Sequence, residues 1–227
     1  MKVLFIGNSH TYFHDMPELF AEMVETTSGE KPEVTMLAYS GRELEWHRKE
    51  YFPIRFALMY GSYDYCVIQQ AAHPFPPVDC TEKYLKELVS LCGKFNTVPV
   101  IFMTWAQKEH PENQQIMIDT YERLADENNC RLAPIGVVWE KVCKAYPDIE
   151  LYNDDGGHAG PYGDFLIAAV LCHTIEGKVS PEVSGRGLDF KGGKDIDWES
   201  PAVCEDKYII PVDLDKDKTD RILGMIR

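Results

Sequence analysis

The chain has 227 residues, of which 44% are hydrophobic and 26% are charged, a composition typical of one soluble globular domain. Its 37 acidic residues outnumber its 23 lysines and arginines, so the formal net charge is -14. This charge argues against a protein that binds the phosphate backbone of nucleic acids, because such proteins need clustered cations. We therefore expect no nucleic-acid partner.

The cysteines and the apolar runs of the sequence indicate in which cellular compartment the protein is expected. Seven cysteines occur, an odd number, and no two of them have CxxC spacing, which favours reduced, buried thiols over disulfides or a zinc site. The apolar run that follows Met1 and Lys2 is too short for a signal peptide. No apolar run reaches the roughly 18 residues that a transmembrane helix needs. We therefore expect a cytoplasmic protein without a membrane partner.

Short apolar runs alternate with longer stretches of helical periodicity. In chain order, the predicted elements are strand 3–6, helix 16–27, strand 34–38, helix 42–60 with an interruption near Pro53, strand 65–69, helix 81–95, strand 98–104, helix 112–127, strand 131–135, helix 137–145 and helix 162–176. This alternation predicts βαβ units, in which helices cover both faces of a parallel sheet. The expected fold is of the α/β class, a three-layer α/β/α sandwich with a five-stranded parallel sheet in the flavodoxin-like order 2-1-3-4-5.

The character of the sequence changes after Gly177. Residues 181–201 are rich in Gly, Pro and Asp and predict a loop, and residues 213–227 predict a short closing helix. We therefore expect a single domain over residues 1–227, with a core at 1–177 and an irregular C-terminal extension at 178–227.

The residues that follow the predicted strands are the first candidates for a functional site, because open parallel sheets bind ligands beyond the carboxyl ends of their strands. They are Gly7-Asn8-Ser9-His10, Tyr39-Ser40-Gly41, Gln69-Gln70, Thr104-Trp105 and, before the last strong helix, residues 153–158. A serine, an acid and a histidine thereby meet at one edge of the sheet. These are the groups that nucleophilic acyl transfer uses.

Two of these segments carry the chemistry. Ser9 follows the first strand, where Gly7 permits a tight bend, and a helix that begins there directs backbone N–H groups at a developing oxyanion. Taken alone, Ser9 also fits an ordinary serine turn or helix cap. Asp155 and His158 are three residues apart, so the carboxylate can hold Nδ1–H of the imidazole and leave Nε2 for the serine proton. The alternatives are an acidic turn that caps the next helix, and Asp154 in place of Asp155 as the acid.

Three sequence blocks, taken in order, resemble the SGNH (GDSL-like) hydrolase superfamily, and in particular its carbohydrate-esterase-like branch. The blocks are Phe5-Ile6-Gly7-Asn8-Ser9-His10-Thr11, then Ser40-Gly41, then Asp155-Gly156-Gly157-His158 followed by Ala159-Gly160-Pro161-Tyr162-Gly163. The family usually has Gly-x-Asn-Asp after strand 3, whereas this chain has Val67-Ile68-Gln69-Gln70. The resemblance spans residues 1–177.

The resemblance implies a catalytic triad. Ser9 would attack an ester carbonyl, His158 would remove the serine proton, and Asp155 would orient His158. Water would then cleave the acyl-enzyme with the same histidine as base. The resemblance implies no cofactor and no metal.

The resemblance also implies an oxyanion hole. Its donors would be the backbone N–H groups of Ser9 and Gly41 together with an amide side chain from the third block. We favour Gln69 as that side chain, because it ends the apolar strand, with Gln70 as the alternate. Loss of one such donor usually costs roughly 2.7–4 kcal/mol in the transition state.

Several other side chains lie near the predicted edge. His10, His73 and Trp105 are candidates for substrate binding, and Trp105 is suited to stack against a sugar ring. A metal site made of His10, His14 and Asp15 is a further arrangement to consider, although it lacks the His-Glu-x-x-His signature. The remaining histidines are expected on the surface or in the core.

These predictions favour a serine esterase that removes small O-acyl groups, foremost acetyl, with a carbohydrate as the favoured carrier. The expected partner is then a small-molecule ester such as an acylated sugar. Two alternatives remain: a catalytically silent protein of the same fold that binds a carbohydrate or peptide, and a metal-dependent phosphoesterase that uses the aspartates. The net charge of -14 disfavours an anionic substrate. The sequence predicts neither the acyl chain length nor the oligomeric state.

Overall fold

Five parallel strands form the central sheet in the computed structural model, which describes residues 1–183, 186–190 and 209–226. The strands are β1 (Lys2–Gly7), β2 (Glu33–Ala38), β3 (Tyr65–Gln69), β4 (Val98–Phe102) and β5 (Arg131–Ala133). Their order is β2-β1-β3-β4-β5, and every neighbouring pair is parallel. The predicted sheet and its strand order are therefore confirmed.

Helices cover both faces of this sheet. They are α1 (Ser9–Tyr12), α2 (Met16–Ser28), α3 (Leu44–Lys49), α4 (Phe52–Gly61), α5 (Val78–Lys94), α6 (Gln114–Asn128), α7 (Ile135–Ala145), α8 (Pro161–Glu176) and α9 (Lys216–Gly224). Single turns of 3-10 helix at Phe13–Asp15 and Pro111–Asn113 precede α2 and α6. Side chains of α2, α7, α8 and α9 enter the core on one face, and side chains of α3, α4, α5 and α6 enter the core on the other. This is the predicted three-layer sandwich.

The alternation of side chains along β1 explains why both faces of the sheet are apolar. Val3 and Phe5 belong to one core, Leu4 and Ile6 belong to the other, and all four are at most 1% exposed. Parallel strands that are buried on both faces have continuous apolar sequences. For this reason the apolar runs locate these strands in the sequence.

Prolines set two of the boundaries between elements. The interruption predicted near Pro53 within residues 42–60 is confirmed as the break between α3 and α4, since Pro53 has no backbone N–H to donate and lies in the first turn of α4. The predicted strand 131–135 ends at Ala133, because Pro134 precedes α7. Helix α1 has no counterpart among the predicted elements, since its four residues are too few to show helical periodicity.

The C-terminal extension contains regular structure where an irregular one is predicted. Strands β6 (Arg186–Phe190) and β7 (Ile209–Asp213) form an antiparallel pair. The closing helix is confirmed as α9, and Asp215 caps it by accepting a hydrogen bond from the Lys218 amide at 3.0 Å. Residues 184–185 and 191–208, and with them most of the predicted loop, lie outside the described residues.

The described cysteines are free thiols; Cys66, Cys92 and Cys172 are buried as expected, whereas Cys80, Cys130 and Cys143 are only half-buried. Burial raises the pKa of Cys66 well above its ordinary value and the pKa of Cys172 to about 11, so neither thiol ionises near neutral pH. Cys204 lies outside the described residues. Within the described ranges, none of the helices combines the length and the apolar character needed to cross a membrane.

Candidate active site

A polar cleft of about 460 Å³ opens at the edge of the sheet where β1, β2 and β3 end. It is lined by Asn8, Ser9, His10, Ser40, Gly41, Glu43, Ala71, Ala72, His73, Pro74, Gln107, Asp155, Gly157 and His158. The predicted site residues that share this cleft are Ser9, His10, Gly41, His73, Asp155 and His158. Gln69, Gln70 and Trp105 are fully buried and do not line it.

Ser9 lies at the first position of α1, directly after β1. Asn8 caps this helix, because its side chain accepts a hydrogen bond from the His10 amide at 3.1 Å. The same side chain donates to the Arg42 carbonyl at 3.1 Å, which ties the serine segment to the segment after β2. The Ser9 N–H belongs to the first helical turn and therefore has no partner within the helix.

A continuous chain of hydrogen bonds joins a serine, a histidine and an aspartate in the cleft. Ser9 Oγ lies 2.8 Å from His158 Nε2, and His158 Nδ1 lies 2.5 Å from Asp155 Oδ2. Asp155 Oδ1 also accepts the backbone N–H groups of Gly157 and His158, each at 2.9 Å. With the Nδ1 proton directed at Asp155, Nε2 presents its lone pair to the serine hydroxyl. Such an arrangement can take the proton of Ser9 and make its oxygen a nucleophile.

The charge of Asp155 suits this arrangement. Burial by itself raises the pKa of the carboxyl, but the His158 ring and two backbone N–H groups outweigh burial and hold the pKa below its ordinary value. Asp155 is therefore ionised at neutral pH. The turn that joins the pair needs Gly156, whose φ of 67° lies in the left-handed region. The alternative acid, Asp154, makes no side-chain hydrogen bond to His158 within the described structure.

Two further histidines line the cleft in neutral form. Burial lowers the pKa of His10 well below its ordinary value, and His158 and His73 act in the same direction. Burial also lowers the pKa of His73 to about 4. The charges at the cleft are therefore carboxylates, those of Asp155 and Glu43, and no lysine or arginine is among the described residues that line it. This electrostatic environment favours a neutral or cationic ligand over an anionic one.

Trp105 supports the cleft from inside the protein. It is fully buried, it stacks on Trp139 with ring centroids 4.2 Å apart, and its Nε1–H donates to the Gly157 carbonyl at 2.9 Å. The prediction that Trp105 stacks against a sugar ring is therefore wrong, because the indole is enclosed by protein. Its hydrogen bond instead holds the turn that carries Asp155 and His158.

The metal site considered for His10, His14 and Asp15 is not formed. The Nδ1 atom of His14 pairs with the carboxylate of Asp164 on α8, and both side chains are buried. The His10 ring stacks on His158 instead. Throughout residues 1–183, 186–190 and 209–226, no group of three or more His, Cys, Asp or Glu side chains is placed to hold a metal ion.

The comparisons with known proteins establish the fold. No protein-family model matches the sequence, and no curated protein matches it. Among solved structures, TesA matches with a TM-score of 0.64 and 12% identity, over 78% of this chain and 99% of TesA. LAE5, an α/β hydrolase enzyme from the metagenome of Lake Arreo in Spain, matches with a TM-score of 0.64 and 16% identity, over 77% of this chain and 94% of LAE5. Axe2, an acetylxylan esterase from Geobacillus stearothermophilus, matches with a TM-score of 0.62 and 16% identity, over 77% of this chain and 93% of Axe2.

The chain shares its three-layer α/β/α fold with these solved structures, in agreement with the fold that the resemblance to SGNH hydrolases implies. Within this fold, the serine follows β1 and the aspartate–histidine turn precedes α8, as the sequence blocks predict. The departure from the SGNH pattern lies at the end of β3, where the pattern has an asparagine amide and this chain has Gln69 and Gln70.

Gln69 holds the serine segment against β3. Its Oε1 accepts hydrogen bonds from the Asn8 amide at 2.8 Å and from the Thr11 hydroxyl at 3.0 Å, and its Nε2 donates to the Gln70 carbonyl. Gly7 passes so close that a Cβ there would collide with Thr11 and Gln69. The prediction of Gln69 as an oxyanion donor is wrong, because its amide N–H groups are buried and do not reach the cleft.

Gln70 holds the Gly41 segment in the same way. Its Oε1 accepts hydrogen bonds from the Leu44 amide at 3.0 Å and the Ala71 amide at 2.9 Å, and its Nε2 donates to a buried threonine hydroxyl of α5 at 3.3 Å. Leu44 begins α3, just after the turn at Gly41, whose φ is 66°. Gln70 as the alternate oxyanion donor is therefore also wrong. The backbone N–H groups of Ser9 and Gly41 remain as candidate donors.

Among the residues of the site that sequence reasoning missed are three large side chains: Phe13, Glu43 and Gln107. Phe13 stacks on His158 with ring centroids 4.2 Å apart, and the other two line the cleft. None of the three directly follows a predicted strand. Their positions depend on how the loops pack against each other, and the only signal for Phe13 is its closeness to Ser9 in the chain.

Replacement of Gln69 tests its role in holding the serine segment. Gln69→Met keeps the approximate size of the side chain but leaves the Asn8 N–H and the Thr11 hydroxyl without their buried acceptor. We expect the free energy of unfolding to fall by about 1–3 kcal/mol in urea denaturation. Gln107→Met, at the cleft surface, is the matched control and should change the free energy of unfolding by less than about 0.5 kcal/mol. Equal stabilities of the two variants would contradict the role of Gln69.

Proposed function

We propose that the protein is a serine-dependent hydrolase of carboxylic esters, which removes small acyl groups, foremost acetyl, from a neutral carbohydrate. The observation that carries this proposal is the hydrogen-bond chain from Ser9 through His158 to Asp155 at the rim of an open cleft. The SGNH-hydrolase fold supports the reaction class, because the solved structures that share the fold with this chain include esterases.

The reaction begins with transfer of the Ser9 hydroxyl proton to His158 Nε2 as Oγ attacks the carbonyl carbon of the ester. The carbonyl oxygen becomes an oxyanion, and the backbone N–H groups of Ser9 and Gly41 are the donors that stabilise it. The ionised Asp155 stabilises the imidazolium that forms on His158. When the tetrahedral intermediate collapses, the C–O bond to the alcohol breaks and the imidazolium proton goes to the departing alkoxide.

The second half of the reaction releases the acyl group. Water attacks the carbonyl carbon of the acyl-Ser9 ester while His158 Nε2 takes a proton from that water. The second tetrahedral intermediate expels Ser9 Oγ, which regains its proton from His158. The products are the alcohol, a carboxylic acid and the free enzyme, so the proposed cycle uses no cofactor.

The lining of the cleft supports a neutral polar substrate. The side chain of Gln107 offers hydrogen-bonding groups, His10 and His73 line the cleft without adding positive charge, and Glu43 adds negative charge. An acylated sugar carries hydroxyl groups that suit such a surface. The fold shared with an acetylxylan esterase supports the same substrate class.

The charge of Glu43 provides a test of substrate class. Glu43→Gln should raise kcat/KM for an anionic ester, such as an acetylated uronic acid, roughly three- to tenfold at low salt, because a repulsive charge is removed. The kcat/KM for a neutral acetylated sugar should stay within about twofold of the wild-type value. Added salt should reduce the effect of the substitution on the anionic ester, because salt screens the charge of Glu43. Glu122→Gln on the exposed face of α6 is the control. Equal effects on both esters would contradict the role assigned to the charge.

Ser9 is tested with a fluorophosphonate probe, which forms a covalent bond with an activated serine. The wild-type protein should be labelled and should hydrolyse p-nitrophenyl acetate, whereas Ser9→Ala should lose the label and at least roughly 10⁴-fold in kcat. This probe chemistry is apt because the esterase EstA from Pseudoalteromonas is inhibited by monoethylphosphonate.

Other outcomes of that experiment point to the alternatives. An unlabelled wild type without turnover that still binds acetylated sugars would replace the proposal with a binding protein. Turnover that survives Ser9→Ala but is abolished by a chelator would replace it with a metal-dependent enzyme.

The identity of the acid is tested by two neighbouring variants. Asp155→Asn should lower kcat roughly 10³- to 10⁴-fold, because an amide cannot stabilise the imidazolium and favours the wrong tautomer of His158. Asp154→Asn carries the same change one residue away and should keep kcat within about twofold. Steady-state kinetics on p-nitrophenyl acetate measures both, and a larger loss in Asp154→Asn would assign the acid to Asp154.

A further inference from the structure

The imidazole of His158 lies between two other rings. The Phe13 ring stacks on one face with centroids 4.2 Å apart and planes inclined by 14°. The His10 ring stacks on the other face at 4.4 Å and 20°. Both faces of the proposed catalytic base are therefore covered, and only the ring edge faces Ser9 and Asp155.

The His10 side of this stack is part of the protein interior. His10 is 6% exposed, and the rings of Trp105 and His73 meet its ring edge-on at centroid distances of 5.3 and 5.0 Å. Burial lowers the pKa of His10 well below its ordinary value, so this ring is neutral. His10 therefore offers a fixed, uncharged surface.

The Phe13 side depends on an unusual turn. Phe13 belongs to the 3-10 turn Phe13–Asp15, in which His14 has a φ of 49° and Asp15 a φ of 59°. Left-handed backbone at two successive residues other than glycine is energetically unfavourable, so surrounding contacts must hold the turn in place.

One contact that holds the turn is the buried pair of His14 and Asp164, and strand β6 also packs against the turn. Both side chains are 1% exposed, and His14 Nδ1 pairs with Asp164 Oδ2. Burial raises the pKa of Asp164, while the neighbouring His14 ring opposes this effect. Asp164 lies in the first turn of α8, shortly after His158 in the chain. The segment that presents His158 therefore also fixes the turn that places Phe13 on it.

We propose that Phe13 is a positioning residue for His158: held by the His14–Asp164 pair, its ring fixes the orientation of the imidazole and stabilises the imidazolium form during the reaction. The role in the reaction rests on the proposed hydrolase function. A stacked neighbour restricts rotation of the imidazole away from Ser9. The negative face of an aromatic ring also attracts a cation that lies over it.

The titratable groups around His158 allow the contribution of the Phe13 ring to the stability of the imidazolium to be measured. The titratable groups that face His158 are Asp155 on its own turn, His10 from α1, His73 from the segment after β3, and Asp164 from α8. Asp155 is ionised at neutral pH, and burial keeps His10 and His73 neutral. Phe13 also meets the ring of His14, the partner of Asp164, edge-on at 5.9 Å. Replacement of Phe13 by leucine therefore alters the environment of the imidazolium without adding or removing a titratable group.

The kinetic test compares Phe13→Leu, which loses the aromatic face, with Phe13→Tyr, which keeps it. On p-nitrophenyl acetate, we expect Phe13→Leu to lower kcat about tenfold with KM within about twofold. The acid limb of its kcat/KM profile should move to lower pH by roughly 0.5–1 unit, because the protonated base is less stabilised. Phe13→Tyr should restore both quantities, and Phe56→Leu on the exposed face of α4 should change neither. A Leu variant that behaves as wild type, or Leu and Tyr variants that are equally impaired, would overturn the proposal.

A second measurement does not depend on activity. In NMR spectra of the whole protein, ring currents of the stacked rings should shift the Cε1–H resonance of His158 upfield, with assignment by His158→Asn. Phe13→Leu should move this resonance downfield, and Asp164→Asn should move it in the same direction by releasing the turn. An unmoved resonance in Phe13→Leu would refute the stacking, and an unmoved one in Asp164→Asn would refute the role of the buried pair. A wild type without Ser9-dependent turnover but with these shifts would instead refute the proposed hydrolase function.

Discussion

All strands of the central sheet run in one direction, and the candidate site depends on this constraint. A parallel ladder brings the carboxyl ends of its strands to one edge, so Ser9 after β1, Gly41 after β2 and His73 after β3 meet in one cleft. His158 belongs to no strand and comes from the turn before α8. That helix is buried from Gly163 to Cys172, mostly among apolar side chains, which gives the turn a fixed starting point.

Buried polar side chains connect the loops that the sheet brings together. Gln69 joins β3 to the serine segment, Gln70 joins β3 to the start of α3, and Asp164 joins α8 to the turn that carries His14. A buried polar group without a partner is costly, so each of these contacts constrains two segments at once. The loops of the cleft are therefore held by the interior of the protein.

In the cleft, charge and proton transfer belong to different side chains. Hydrogen bonds from its own turn keep Asp155 ionised, although burial opposes this. Burial keeps His10 and His73 neutral, so these rings shape the cleft without adding positive charge. Each proton transfer in the proposed reaction thereby passes through His158, whose Nε2 lies beside Ser9.

The sequence by itself determined the parallel sheet, its order and the pairing of Asp155 with His158. Continuous apolar runs mark strands that are buried on both faces, and a bond between residues three apart is local. Only the tertiary structure decided that Gln69 turns inward, that Trp105 lies beneath the cleft and that Phe13 covers His158. The direction of a side chain at the end of a strand depends on which donors, acceptors and surfaces distant segments leave unpaired. That information belongs to the packing between segments and has no local pattern in the chain.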